Sequence, residues 1–305
     1  MKKPIINIIS FFFLAILIAG CSRKKDKFLN KNFHSVTTKY NFLFNGNNLY
    51  AEGLSDLEND VRENFWTLLP LEKFKLYRID DEERETNFTR AEEKATLAIQ
   101  KHSMNVDGKE RNPIMDQAYF LLGKARYYDN RFIPALEAFN YILYKYPTSE
   151  YINKVKIWKE KINIRLDQNK YAIDNLKELL EEENLMIEER SLANSYLAQA
   201  FINIEQIDSA AYFLKKSNQQ FKNIKNNPRN TFLLAQLYQD LNVKDTASEL
   251  YSEIIDLHRK IPREFYIHSY INKSSLSDSI ENSIMELKEL TMNFENNNFF
   301  DIIYH

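Results

Sequence analysis

The sequence predicts an all-α fold of helix hairpins stacked in series, and three observations predict it. Only five glycines occur in 305 residues, Gly20, Gly46, Gly53, Gly108 and Gly123. That is too few for a glycine-rich phosphate loop or for the turns of an extensive sheet. Four alanines, Ala135, Ala172, Ala210 and Ala247, recur at intervals of 37, 38 and 37 residues. A period of this length, filled with helical patterning, marks paired helices packed one after another. The 21 phenylalanines and 18 tyrosines supply ample core for such a stack.

The N-terminus comes first. Lys2 and Lys3 precede an apolar run over residues 5–19, broken only by Asn7 and Ser10, and Leu17-Ile18-Ala19-Gly20 leads into Cys21. Residues 1–20 therefore read as a lipoprotein signal peptide cleaved between Gly20 and Cys21. The run is shorter than the ~20 residues a membrane-spanning helix needs. The other reading is an ordinary signal anchor in which Cys21 is incidental. In the lipoprotein reading the Cys21 thiol becomes a lipid thioether and its new α-amine is acylated. At about 0.8 kcal/mol per buried methylene, three chains hold a protein on a bilayer far more firmly than one. Residues 21–31 then form a lipidated tether. Its Arg23, Lys24, Lys25 and Lys27 either solvate a spacer or touch anionic head groups, the latter worth ~1 kcal/mol per basic residue.

The helical units follow. After an acidic linker at residues 80–85, residues 89–101 read as a helix. The clearest hairpin spans residues 116–149. Its first helix carries Tyr119, Leu122 and Gly123, and a turn falls at Asp129-Asn130. Pro134 sits in the first turn of the second helix, where its missing N–H costs little; Ala135, Phe139 and Ile142 follow, and Pro147 stops it. A unit from Ser191 repeats the scheme with Leu197, Ala198, Phe201, Ala210 and Leu214. Another, from Pro228, does so with Leu234, Ala235, Tyr238, Ala247, Tyr251 and Ile254. Between them a second helix fits at Ala172, Leu176 and Leu179, but its partner helix places Lys159 and Glu160 where Leu and a small residue belong. Residues 265–270 and 277–292 read as a last pair, opened by Pro262. Residues 295–305 read as the start of a further, truncated repeat. The stack is thus expected to lack a C-terminal cap and to be a truncated product or the front part of a longer protein.

Composition excludes several functions. A net charge of −2 with evenly mixed signs argues against a nucleic-acid binder driven by phosphate contacts. With Cys21 the only cysteine, disulfides and thiolate metal sites are excluded. His34, His102, His258, His268 and His305 include no i, i+4 pair, which argues against a metal centre. No Gly-x-Ser-x-Gly elbow or other nucleophile motif occurs, so no enzyme and no cofactor beyond the covalent lipid are expected. Acidic runs such as Glu181-Glu182-Glu183 read as solvated helix ends.

The unit over residues 116–149 resembles the tetratricopeptide repeat. Tyr119, Leu122, Gly123, Ala135, Phe139, Ile142 and Pro147 match its signature slots, while Arg126 stands where a second aromatic is usual. Ile142 enlarges a slot that is usually alanine. The resemblance implies a right-handed solenoid whose first helices line a concave, partner-binding side. In this unit Gln117, Phe120, Lys124, Tyr127 and Tyr128 are expected to face that groove; in the unit from Pro228, Arg229, Phe232, Gln236, Gln239 and Asp240. The partner-binding anchors so assigned are Phe120, Lys124, Tyr127, Tyr128, Arg229 and Phe232. The alternative is that Tyr127 and Phe232 pack against a neighbouring repeat. Phe120 and Lys124 stand where the carboxylate clamp of chaperone adaptors needs Lys and Asn, so that use is set aside.

A second resemblance is more specific. The block Asn32-Phe33-His34-Ser35-Val36-Thr37-Thr38-Lys39-Tyr40-Asn41 runs on into Phe42-Leu43-Phe44-Asn45-Gly46, and Asn64-Phe65-Trp66 and Leu68-Leu69-Pro70 come after it. With Ile99-Gln100-Lys101-His102-Ser103-Met104, Asp107-Gly108-Lys109-Glu110, Ala125-Arg126-Tyr127-Tyr128 and Ala138-Phe139-Asn140-Tyr141-Ile142-Leu143, these resemble the SprE/PorW family of gliding-motility lipoproteins in the type IX secretion system. The resemblance covers nearly the whole chain after Cys21. It implies a family-specific helical region over residues 32–88 and tetratricopeptide-like repeats over 89–294. It further implies a non-enzymatic lipoprotein of the outer membrane, facing the periplasm of a Bacteroidota-type bacterium, that couples periplasmic ring components to the outer-membrane translocon. The basic residues after Cys21 favour the periplasmic face, since surface-exported lipoproteins of these bacteria tend to carry acidic residues there. The alternative function is a general envelope-assembly lipoprotein that binds cell-wall enzymes or peptidoglycan.

Overall fold

The computed structural model describes residues 22–77, 85–221 and 227–304. The signal peptide, Cys21, residues 80–84 of the acidic linker and His305 lie outside the described residues. The chain divides into two compact units: Met1–Val61 with Phe74–Ile162, and Arg62–Lys73 with Asn163–His305.

The first unit contains α1 (Phe28–Thr37), a π-helical stretch (Thr38–Leu43), α2 (Phe44–Asp60), α3 (Asn87–His102), α4 (Met115–Tyr128), α5 (Phe132–Lys145) and most of α6 (Ile152–Arg165). Helix α2 packs on α3, α3 on α4 and α4 on α5. Thr86 starts α3 with a capping box, its hydroxyl accepting from the Thr89 N–H. The only strands among the described residues are β1 (Asn105–Val106) and β2 (Lys109–Glu110), paired antiparallel. Asp107 and Gly108 between them have φ of 52° and 74°, the left-handed pair that a two-residue type I′ hairpin needs.

The second unit contains α7 (Asn169–Glu181), α8 (Ile187–Asn203), α9 (Ile207–Phe221), α10 (Pro228–Asp240), α11 (Lys244–Leu257), α12 (Arg263–Leu276), α13 (Ile280–Met292) and the short α14 (Phe300–Tyr304). From α7 to α13 each helix packs on the next. The predicted all-α fold of consecutive helix hairpins is what the chain adopts.

The alanine period has a plain physical cause. Ala135, Ala172, Ala210 and Ala247 are each the fourth residue of α5, α7, α9 and α11, and each is wholly buried. Five residues before each alanine the backbone turns left-handed, at Asn130, Asp167, Glu205 and Asn242, with φ between 58° and 63°. The four turns share one pair of bonds. Arg131, Gln168, Gln206 and Val243 donate N–H to Arg126, Asn163, Phe201 and Tyr238, while the left-handed residues donate to Tyr127, Ile164, Ile202 and Gln239. This is the Schellman ending, which satisfies the last carbonyls of a helix. Glycine usually supplies its left-handed residue; here Asn, Asp and Glu do, which reconciles tight turns with a glycine-poor chain.

Departures from the repeat signature are also explained. At Gly123 a Cβ would stand 2.5 Å from Phe139 Cε1, so only glycine admits this close approach of α4 and α5. Arg126, in an aromatic slot, donates from Nε to Glu92 at 2.8 Å and from Nη1 to the Pro134 carbonyl at 3.0 Å. Helix α6 does form despite Lys159 and Glu160. Its Lys161 is buried with Nζ 4.0 Å from the Trp158 ring centroid, 4.5 Å from that of Tyr127, and 3.2 Å from Tyr128 Oη. Cation–π contact compensates its desolvation.

One expectation needs correction. The N-terminal helical region does not run to residue 88: helix stops at Asp60, and residues 61–77 contain none. Arg62–Lys73 belongs instead to the second unit.

Candidate functional site

The first helices of the second unit, α8, α10 and α12, present a row of polar and aromatic side chains to the segment Arg62–Lys73. The segment has no helix or strand; it turns at Phe65 and Trp66, where the Thr67 N–H donates to the Asn64 carbonyl at 3.3 Å. Phe65, Leu69 and Leu71 are buried while Asn64, Trp66, Thr67 and Pro70 are exposed.

Its main chain is held by side-chain amides. Gln236 of α10 accepts from the Leu69 N–H at 3.0 Å through Oε1, and donates through Nε2 to the Thr67 carbonyl at 2.8 Å. Gln199 of α8 accepts from the Leu71 N–H at 2.8 Å. Gln199 and Gln236 are 37 residues apart, one period of the repeat, so equivalent positions bind amides two residues apart. The Gln199 amide is oriented by its own donation to Asn203 Oδ1 at 2.9 Å, and Asn203 in turn donates to Asn169 Oδ1 at 2.9 Å.

Charge fixes the ends. Arg229, at the start of α10, donates from Nη1 and Nη2 to the two carboxylate oxygens of Glu63, each at 2.5 Å, in the two-pronged geometry that suits a guanidinium. It also donates to the Pro70 carbonyl at 3.3 Å. At the other end Glu72 accepts from Arg165 Nη2 at 3.0 Å and from Tyr196 Oη at 3.3 Å.

Aromatic rings fix the register. The Phe65 ring is 5.4 Å from that of Phe232, 5.1 Å from that of Phe265 and 4.4 Å from the His268 imidazole. With Leu69, Ala235, Ala247, Tyr251 and Ile254 the three phenyl rings form one buried cluster. His268 has its pKa pushed down to about 4 by burial.

Five of the six predicted anchors, all but Lys124, are buried. Arg229, Phe232 and Gln236 do converge on a peptide-like segment, but it is the chain's own, and all three are buried. Gln239 instead accepts from Tyr251 Oη at 2.9 Å within its hairpin, and Asp240 is exposed. In the first unit Phe120, Tyr127 and Tyr128 are buried in an aromatic cluster with Phe74, Phe88, Phe132, Phe139 and Trp158. They pack in the interior rather than standing as exposed anchors, since large rings gain most from leaving water. Lys124 is half-buried, its Nζ 4.3 Å from the Tyr50 ring centroid. Its pKa is pushed down to about 8 by burial and then by Lys161 and Lys154. Gln117 is half-buried.

Sequence reasoning missed Gln199 and the segment itself. Gln199 was detectable as the residue one period before Gln236. No group of three or more metal-ligating side chains occurs among the described residues, and no described helix is long and apolar enough to cross a membrane.

No protein-family model and no curated protein sequence matches the chain. Solved structures do. The structure described as "Functional Characterization of Pseudomonas Aeruginosa pilF" is similar over 85% of this chain and 96% of its own, with a TM-score of 0.51 and 12% identity. Two crystal structures of MamA cover 61% and 55% of this chain and 96% and 89% of their own, at 15% and 17% identity and TM-scores of 0.46 and 0.42. The pilF likeness shows the fold alone: tetratricopeptide-type helix pairs.

Proposed function

We propose that this chain is a non-enzymatic adaptor lipoprotein of the type IX secretion and gliding machinery, coupling periplasmic ring components to the outer-membrane translocon. Cys21 carries the acyl chains and holds the protein at the outer membrane, facing the periplasm. A tetratricopeptide-type fold supports the coarser part of this reading, a scaffold for protein–protein interaction. The observation that carries it is the row formed by Gln199, Arg229 and Gln236, which holds a non-helical segment by its main chain and one carboxylate. Helices arranged in this way bind peptides without chemistry, through groups already oriented before binding. The finer part, the secretion system and its partners, rests on the sequence blocks around Phe33, Phe65, His102 and Tyr127.

Affinity capture of the tagged, acylated protein from envelope extracts tests it. Recovery of ring and translocon subunits is the expected result. Recovery of peptidoglycan enzymes alone would instead support a general envelope-assembly lipoprotein. Deletion of the gene is expected to abolish export of proteins bearing the type IX C-terminal signal, and normal export would refute the assignment.

A further inference from the structure

We propose that the face formed by α8, α10 and α12 is a peptide-recognition groove, and that Arg62–Lys73 is its resident internal ligand, exchanged for a partner segment of the same chemistry. That segment is neither helix nor strand and carries a carboxylate two residues before an aromatic ring and branched aliphatic residues four and six positions after it. The proposal rests on the reading of the chain as a scaffold that holds partners.

Three observations on the segment carry the argument. First, its recognition is divided as a ligand's would be: Gln199 and Gln236 bind the main chain, Arg229 the Glu63 carboxylate, and Phe232, Phe265 and His268 enclose one ring. The amide bonds hold the main chain whatever its side chains, and the carboxylate and ring sites select among sequences. Secondly, each of these contacts uses a helix side chain and none uses a helix backbone group. A segment held by side chains alone can leave without breaking a backbone hydrogen bond of α8, α10 or α12. Thirdly, the segment has no helix or strand of its own, and Asn64, Trp66, Thr67 and Pro70 on its outer side are exposed, so it lies on the face as a single layer.

An occupied groove hides the aromatic box from solvent and makes partner binding conditional. The apparent affinity for a partner falls in proportion to the fraction of molecules whose groove is open. A partner segment with the same spacing competes directly, because Arg229 chelates one carboxylate at a time.

The test titrates a fluorescent peptide of residues 62–73 into the full chain and into a Glu63→Ala/Phe65→Ala variant whose own segment is loosened. The variant is expected to bind at least about tenfold more tightly. Adding Gln199→Ala and Gln236→Ala should abolish that gain, and a peptide with alanine at position 65 should bind neither protein. Equal affinity for both proteins would overturn the proposal, as would no binding by a variant of wild-type helicity. So would a dimer in which a second copy's segment fills the groove. Should the variant not fold, the wild-type chain decides. Excess peptide is expected to accelerate hydrogen exchange at the Leu69 and Leu71 amides, and unchanged protection refutes the exchange. Failure here, with secretion subunits still recovered by capture, removes the internal-ligand proposal and leaves the adaptor reading standing.

Discussion

The imidazole of His268 lies parallel to the ring of Phe65, with centroids 4.4 Å apart and planes 6° apart. One residue belongs to α12 and the other to the segment Arg62–Lys73, so this stack records how the segment completes the second unit. It also sets how the unit responds to acid. Protonated imidazole is poorly accommodated between a phenyl ring and a buried cluster, and burial pushes the His268 pKa down to about 4. In the first unit His102, whose Nδ1 is 2.8 Å from that of His34, is likewise pushed down to about 4, first by burial and then by His34.

Acid should therefore weaken both units. For a base with a depressed folded-state pKa, the unfolded chain takes the proton first, so stability is complete above the unfolded value of about 6.5. It declines as pH falls towards 4, then levels off once the folded state also protonates. Each of these buried histidines contributes a loss of up to about 3 kcal/mol over that window. Urea unfolding at pH 7.5, 6 and 5 checks this. His268→Phe and His102→Phe should each flatten the profile, and a wild-type profile that stays flat contradicts the assignment.

The Glu63–Arg229 pair supplies a second prediction. Both side chains are largely removed from water, so deleting one partner strands a buried charge. Glu63→Ala is expected to destabilise the second unit by about 3–5 kcal/mol, whereas Glu63→Leu with Arg229→Met loses much less. Chemical unfolding of the three proteins distinguishes these outcomes. An equal loss in the single and double variants would contradict the pairing.

Two glycine substitutions should act with opposite signs. Gly123→Ala drives a methyl into Phe139 and is expected to destabilise the first unit by about 1–3 kcal/mol. Glu205→Gly relieves a left-handed residue at φ 61° and should stabilise the second unit by about 0.5–1 kcal/mol. Thermal unfolding reads both.

What the sequence revealed, and what it did not, divides by distance along the chain. The period of Ala135, Ala172, Ala210 and Ala247 exposed the hairpins because it arises from contacts within one repeat, and Pro147 and Asp129-Asn130 located their ends for local reasons. Asp107-Gly108 also carries a local hairpin signal, the dipeptide of a two-residue type I′ turn. The groove was half legible. Arg229, Phe232 and Gln236 were placed on the correct face, but their occupant lies more than 150 residues away in the chain. Main-chain recognition by a glutamine leaves no pattern in the segment it binds. Aromatic residues such as Phe120 and Tyr128 misled for a related reason: periodicity assigns a helix face, and it does not reveal that other rings already cover it. For Tyr127 the alternative of packing against a neighbouring repeat is what the structure shows.

The measurement that bears most directly on this account is hydrogen exchange at the backbone amides of Leu69 and Leu71 in the full chain at neutral pH. Both are donated to glutamine side chains, at 3.0 and 2.8 Å. They should exchange slowly in the wild type and rapidly after Gln236→Ala and Gln199→Ala respectively. Exchange at unstructured-chain rates in the wild type would mean that the segment is not held on the helices.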